Sequence, residues 1–414
     1  KNRWIMALIQ HGKYKDAEKV LGEIRETDTP TRTITGLKDA LCSRACIAIM
    51  KKDYATAEAL RKEAGRRYHE SMNSMDFYRL NVLRNFFDSF TLVARCYERQ
   101  NEIGHSLQTY REMKECLINT LGLYIPYYID LDRTNMLNLF QPWYDEMQTF
   151  AYRHISHGGM AEFMYSNAQL IKQFFLVSPT LYNPKMISMQ GDEYLRELSR
   201  RQSKLMLTED AMNVHLKGDY LPHILSNMRS MALSREAVTY VLENVDKPYH
   251  CITEWESVRK IIAADAEVMV EFVLIHRPDN GARQYAALVF TEVDKAPHFV
   301  PLCDEEPLRT ALNDTDHDRR NDFILKNIWK PIQAHFGERA VISLYPTGLL
   351  STVPLAGIVD DNNAYLCNDY VLSFYLCATD RLMKKYHLYP EKKPAVLFGA
   401  ADYGLPPSKL ENPV

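Results

Sequence analysis

The eighteen residues from Val341 to Ile358, Val-Ile-Ser-Leu-Tyr-Pro-Thr-Gly-Leu-Leu-Ser-Thr-Val-Pro-Leu-Ala-Gly-Ile, restrict the fold more than any other stretch. An apolar, β-branched run from Ala340 to Tyr345 stops at Pro346, which cannot donate to a strand ladder. Thr347-Gly348 supplies a turn, and Leu349, Leu350 and Pro354-Leu355 bring apolar residues back. The pattern predicts a buried strand, a tight turn and the start of a second element. Such a strand needs neighbours, and the flanking sequence provides them.

Glu267 to Ile275 reads as a strand that ends at Pro278-Asp279-Asn280-Gly281. Asn-Gly is a hairpin signal because both residues tolerate positive φ. Gln284 to Phe290 is the returning partner, and His298 to Leu302 supplies a further short strand. A helix around Ile324 to Phe336 precedes the strand at 340–345. Beyond the turn, Val371–Leu376 and Ala395–Gly399 are continuous apolar runs, as expected of strands covered on both faces, with a helix from Ala378 to Tyr386 between them. In front, Trp255, Val258, Ile261 and Ile262 form one helical face. Strand–helix–strand order with these runs predicts an α/β sandwich with a largely parallel central sheet.

The first third is helical and repetitive. His11-Gly12-Lys13-Tyr14-Lys15-Asp16-Ala17-Glu18 and Lys51-Lys52-Asp53-Tyr54-Ala55-Thr56-Ala57-Glu58 share a Tyr-x-x-Ala step. A degenerate third copy starts at Arg99-Gln100-Asn101-Glu102-Ile103, with Leu107 and Tyr110 continuing its face. A helix pair cannot bury its apolar stripe alone, so small residues such as Ala17 and Ala57 let neighbours stack. This resembles a tetratricopeptide repeat turn, at spacings longer than the usual period of about 34 residues. Residues 120–250 keep helical periodicity, as in Glu193–Leu198 and Arg235–Leu242, but lose the repeat. Pro179 and Asn183-Pro184 mark a break there, and Gly158-Gly159 reads as a connector, since no strand precedes it and no Lys-Ser/Thr follows.

Composition excludes several classes. With 414 residues, 46% apolar and 25% charged, the chain can bury a large core in two or three units. A net charge of −3 leaves no global footprint for nucleic acid. The eight cysteines are scattered without zinc spacing, which fits a reducing, cytoplasmic setting. No apolar run is long enough to span a bilayer, so a membrane is not an expected partner. The start at Lys1 without Met is that of a piece of a longer polypeptide.

The succession from residue 251 onward resembles a CHAT domain, the caspase- and separase-like cysteine protease module carried behind tetratricopeptide repeats. The residues that carry the likeness are Glu254-Trp255 before a helix, Glu267 and Glu271-Phe272 in a strand, the hairpin ending Tyr285-x-Ala287-Leu288-Val289, Trp329-x-Pro331, Thr347-Gly348-Leu349, Tyr365-Leu366, and Leu397 to Tyr403. Thr347 stands where the family often has Asp. The resemblance covers the amino-terminal half of such a domain, and the repeats in front match its domain order.

Three segments follow from this reading: repeats over 1–120, a further helical region over 121–250, and the first, non-catalytic part of a CHAT domain over 251–414. The fold class expected is α plus α/β, a helical-repeat array followed by the first half of a caspase-like sandwich. A peptidase of this type needs a thiolate, a neighbouring His and backbone N–H donors for the oxyanion. The family's His and Cys correspond to nothing before Val414, so no catalytic, cofactor-binding or metal-ligating residue is assigned and no cofactor is expected. Cys367 and Cys377 with His387, and Cys303 with His298, read as ordinary thiols and histidines. So do His276 and His335. Cys42 and Cys46 read as buried helix cysteines. Asp314, Asp316 and Asp318 begin like a calcium loop but lack its Gly and closing Glu.

The resemblance implies the regulatory and scaffold portion of a cysteine endopeptidase activated through its repeats, acting on a protein or peptide substrate. The catalytic dyad is then expected beyond Val414 or on a second protease chain. The alternatives are a non-catalytic protein-binding adaptor, or the protease partner of a CRISPR ribonucleoprotein, which shares this domain order.

Overall fold

The computed structural model describes residues 2–22, 34–74, 79–121, 130–172 and 267–378, with nine isolated helical positions between 193 and 259. Of the expected elements, the helices at 235–242 and 379–386, the strand at 395–399, and Cys251, Ile261, Ile262 and His387 lie outside these residues.

The amino-terminal part is a stack of helices: α1 (Asn2–Gln10), α2 (Tyr14–Gly22), α3 (Ile34–Met50), α4 (Tyr54–Ser74), α5 (Arg79–Arg99) and α6 (Ile103–Leu121). Three of its turns are the same object. Gly12, Lys52 and Asn101 each adopt positive φ, at 73°, 61° and 60°. In each, the left-handed residue donates its N–H to the carbonyl three back (Ile9, Ile49, Glu98), and the next residue donates to the carbonyl five back (Leu8, Ala48, Tyr97). This paired bonding satisfies carbonyls that a helix end otherwise leaves orphaned. Five residues after each left-handed position comes a small, fully buried side chain, Ala17, Ala57 or Ser106. The degenerate third copy read from sequence therefore shares the geometry of the first two.

Two longer helices follow, α7 (Asp130–Arg153) and α8 (Met160–Lys172). Gly158-Gly159 is the connector between them, with Gly159 at φ 86°.

The second part is a five-stranded sheet of order β3-β2-β1-β4-β5. Its strands are β1 (Val268–His276), β2 (Arg283–Phe290), β3 (His298–Asp304), β4 (Val341–Tyr345) and β5 (Val371–Phe374). The sheet is mixed, not largely parallel: β1–β2 and β2–β3 run antiparallel, while β1–β4 and β4–β5 run parallel. Short links impose this, because a parallel step needs a crossover of a dozen residues or more. The hairpin also differs from a two-residue Asn-Gly turn. Pro278 to Gly281 form a longer loop closed by Gly281 N–H to the Arg277 carbonyl at 2.8 Å, and within this pair only Gly281 has positive φ. Asn280 uses its side chain instead, accepting the Ala282 N–H at 2.9 Å.

Between β3 and β4 lie α9 (Glu305–Asn313), α10 (His317–Ile324), a π turn (Leu325–Trp329) and α11 (Lys330–Gln333). The helix begins earlier than its apolar pattern indicates because Asp316 caps it, accepting the N–H groups of Asp318 and Arg319. The π turn precedes Pro331, whose missing N–H would break an ordinary ladder, and it sends the Lys330 N–H to the Leu325 carbonyl.

Both faces of the sheet are covered over β1, β2 and β4, but β5 is an edge strand with Val371 and Phe374 exposed, contrary to the two-sided burial its apolar run indicated. Val268, Val270, Phe272, Ile342 and Leu344 pack under α9, α10 and α11 with Leu308, Ile328 and Trp329. Met269, Val273, Ile275, Leu288, Phe290 and Tyr345 join the core of the helical stack. The described residues thus form an α+β unit in which α7 and α8 lie against the sheet.

Candidate functional site at the helix–sheet junction

β1, β4 and β5 are parallel, so their carboxyl ends emerge at one side of the sheet, where open α/β sheets gather ligands and catalytic groups. Two arrangements occupy this region.

The first is the turn after β4. Gly348 has φ 54°, and a Cβ there would sit 2.6 Å from the Tyr285 hydroxyl oxygen. That same oxygen accepts the Leu349 N–H at 2.8 Å. Gly348 is therefore required twice, by its backbone conformation and by the approach of Tyr285. Short 3-10 turns follow at Gly348–Thr352 and Leu355–Gly357, burying Leu350 and Leu355. Asn321 of α10 then pins the next segment, donating to the Val359 carbonyl and accepting its N–H, both at 2.8 Å.

The second is a buried polar cluster between α8 and the strand ends. Glu271, in the middle of β1, is 0% exposed. Its carboxylate meets the Lys172 ammonium at 2.5 Å and accepts from Gln169 at 2.6 Å. Lys172 also donates to the carbonyl of Tyr345, the last residue of β4, at 2.8 Å. Gln169 accepts the N–H of Ala378, four residues past β5, at 2.9 Å. Two side chains one helical turn apart on α8 thereby bind β1, the end of β4 and the segment that follows β5. Burial pushes the Glu271 carboxyl up to about 7, against the opposing pull of Lys172 and Gln169. Tyr144 of α7 is half-buried nearby, and its desolvation raises its phenol well above the usual range.

Around this cluster α7 adds lighter ties. Asp145 pairs with His276 at 3.4 Å, the Thr149 hydroxyl donates to the His276 carbonyl at 3.3 Å, and the Tyr152 hydroxyl donates to Gln284 at 3.4 Å. On the helical stack a cleft of about 310 Å³ is lined by Arg95, Glu98, Arg99, Glu146 and Arg153. Two ion pairs line it: Arg95 holds Glu146 at 2.6 and 2.8 Å and Arg153 holds Glu98 at 2.8 and 3.0 Å, while Arg99 donates to the Ile9 carbonyl and the Tyr14 hydroxyl. Burial favours the neutral Glu146, but Arg95 and Arg153 outweigh it and keep its carboxyl below the ordinary range.

The residues weighed in the sequence are spread out. Cys303 on β3 is half-buried, and burial pushes its thiol up to about 11, far from a reactive thiolate. His298 pairs with Asp294 at 3.0 Å and stacks on His335 with ring centres 5.1 Å apart. Burial and the facing His298 lower the His335 pKa. Cys367 is exposed on a short helix, and Cys377 is buried after β5. Cys42 and Cys46 are buried in α3, and burial with neighbouring thiols raises the Cys46 pKa. Asp314 and Asp316 are engaged with Arg319 at 3.6 and 2.9 Å. Among the described residues no group of three or more His, Cys, Asp or Glu is placed to hold a metal ion.

Sequence reasoning missed Lys172 and Gln169. Glu271 was the available signal, since an acid inside an apolar strand demands a buried partner. No protein-family model matches the chain, and no curated protein matches its sequence. Among the described residues no helix is long and apolar enough to cross a membrane.

Proposed function

We propose that this chain is the regulatory and scaffold portion of a CHAT-family cysteine endopeptidase, with repeat-type helices as its input and the sheet as its frame. The dyad is supplied beyond Val414 or by another chain. The observation that supports this most is the strand–turn–3-10 arrangement at 341–358, in which Gly348 is held under Tyr285 at the carboxyl end of a parallel strand. The stacked helices with their repeated turns, joined to that sheet through α7 and α8, agree with the domain order of such enzymes. The reading rests on fold analogy, so activity has to be tested at the site itself.

The test is a thiol-directed electrophilic peptide probe applied to material isolated from its native cells through this chain. Labelling of one cysteine, on a polypeptide that contains this chain or binds it in equal amount, is the expected result. Replacing that cysteine abolishes cleavage and leaves this chain folded. Absence of any labelled polypeptide, or cleavage that survives the replacement, overturns the peptidase reading and leaves the adaptor.

A further inference from the structure

We infer that Gln169 and Lys172 of α8 are positioning residues that transmit the placement of the helical stack to the carboxyl ends of β4 and β5. Four contacts carry this. Lys172 bonds the Tyr345 carbonyl immediately before Pro346, and Gln169 bonds the Ala378 N–H just after Cys377. Both side chains are aimed by one buried acceptor, Glu271, on the central strand. On the β5 side the ladder with β4 runs only from Val341–Val371 to Leu344–Phe374, with Tyr375 N–H reaching the Leu344 carbonyl as its final bond, while on the other side Tyr345 stays in register with Glu271 of β1. Three residues past that bond, α8 takes up the chain again through Gln169, which accepts the Ala378 N–H.

The helix is itself set by the stack. Gln148 of α7 donates to the Met164 carbonyl of α8 at 3.3 Å, and α7 is tied to α5 through Glu146 and Arg95. A shift of α7 therefore reaches α8, and a shift of α8 moves Tyr345 and Ala378 together because both are bonded within one helical turn. The turn that follows β4, with Leu349 on Tyr285, is the next element in line. These contacts hold whether or not the chain serves a peptidase, so failure of one proposal leaves the other standing.

The experiment is hydrogen–deuterium exchange on the full chain, read at Ala378, at Leu349 and Leu350, and at the α3–α4 turn as an internal reference. Lys172→Met with Glu271→Leu replaces the buried pair by apolar groups, which preserves folding while removing the bond to Tyr345. The expected result is about tenfold faster exchange at Leu349, Leu350 and Ala378, with the reference turn unchanged, as befits loss of local hydrogen bonds. Lys172→Arg keeps exchange near the native rate. Arg95→Ala, which cuts the α5–α7 tie, is expected to raise exchange at Ala378 several-fold in the native background and to add nothing in the apolar-pair background. Unchanged strand-end exchange in the apolar-pair variant, or an equal Arg95→Ala effect in both backgrounds, overturns the inference.

Discussion

The turns of the helical stack and the clasp on α8 solve different problems by different means. Each turn is local: the two bonds that close it span three and five residues, and the same device occurs at Gly12, Lys52 and Asn101. The clasp is assembled once, from groups 102, 173 and 209 residues apart in the chain. A local device that fails costs one helix end its bonds. A buried charged device that fails leaves an ion without its partner, which is far more expensive. The stack should therefore tolerate change where the junction does not.

The largest expected effect comes from leaving one clasp charge alone. Glu271→Leu strands the Lys172 ammonium, and the chain should lose about 3–5 kcal/mol in urea unfolding. Adding Lys172→Met should restore most of that loss, because well-packed apolar groups replace buried ion pairs at little or no cost. A double variant as unstable as the single one would break the contrast drawn above.

Acidity sharpens the same contrast. The Glu271 carboxyl is raised from its ordinary 4.5 to about 7 by burial, so the folded state holds a proton that the unfolded chain releases. Its contribution is fully present below about pH 4.5 and is lost as pH rises through about 7. Across that window the native chain should lose about 3 kcal/mol relative to Glu271→Gln, which lacks the titration. Parallel profiles for the two proteins would contradict the assignment.

Gly348→Ala comes next. An Ala at positive φ costs about 1–2 kcal/mol, and crowding of Tyr285 adds to it, so a loss of about 2–3 kcal/mol is expected. Tyr285→Phe removes the crowding oxygen, and the two changes together should cost less than their sum. Additive losses would mean that Tyr285 does not set the turn.

The smallest effects belong to the stack. Lys52→Gly and Asn101→Gly relieve left-handed backbone and should each stabilise by about 0.5 kcal/mol, net of the added freedom of the unfolded chain. Gly12→Ala should cost about 1 kcal/mol. Thermal unfolding of the three variants checks the signs, and unequal behaviour of Lys52 and Asn101 would argue against a shared turn.

The same division explains what could be read from the sequence. The turns at Gly12 and Lys52 were legible from a local Tyr-x-x-Ala step, and the degenerate copy at Asn101 from the face that Ile103, Leu107 and Tyr110 continue. The strands at 268–276, 283–290 and 341–345 were legible from their apolar runs. Their mixed direction was not, since it depends on which strands pair across the hairpin at 277–282. The clasp was not read from the sequence: Glu271 inside an apolar strand was a signal that went unused, and nothing near it names Lys172, almost one hundred residues earlier. Gly348 read as a turn residue, while its second requirement, the Tyr285 hydroxyl, needed the fold.

The most direct test of this account is a double-mutant cycle between Lys172→Met and Glu271→Leu, measured by urea unfolding of the full chain at about pH 9, where the Glu271 carboxyl is ionised. A coupling free energy of about 2 kcal/mol or more is predicted for two charges that depend on each other. Additivity within about 0.5 kcal/mol would show that the pair does not act as a unit and would remove the clasp from the junction.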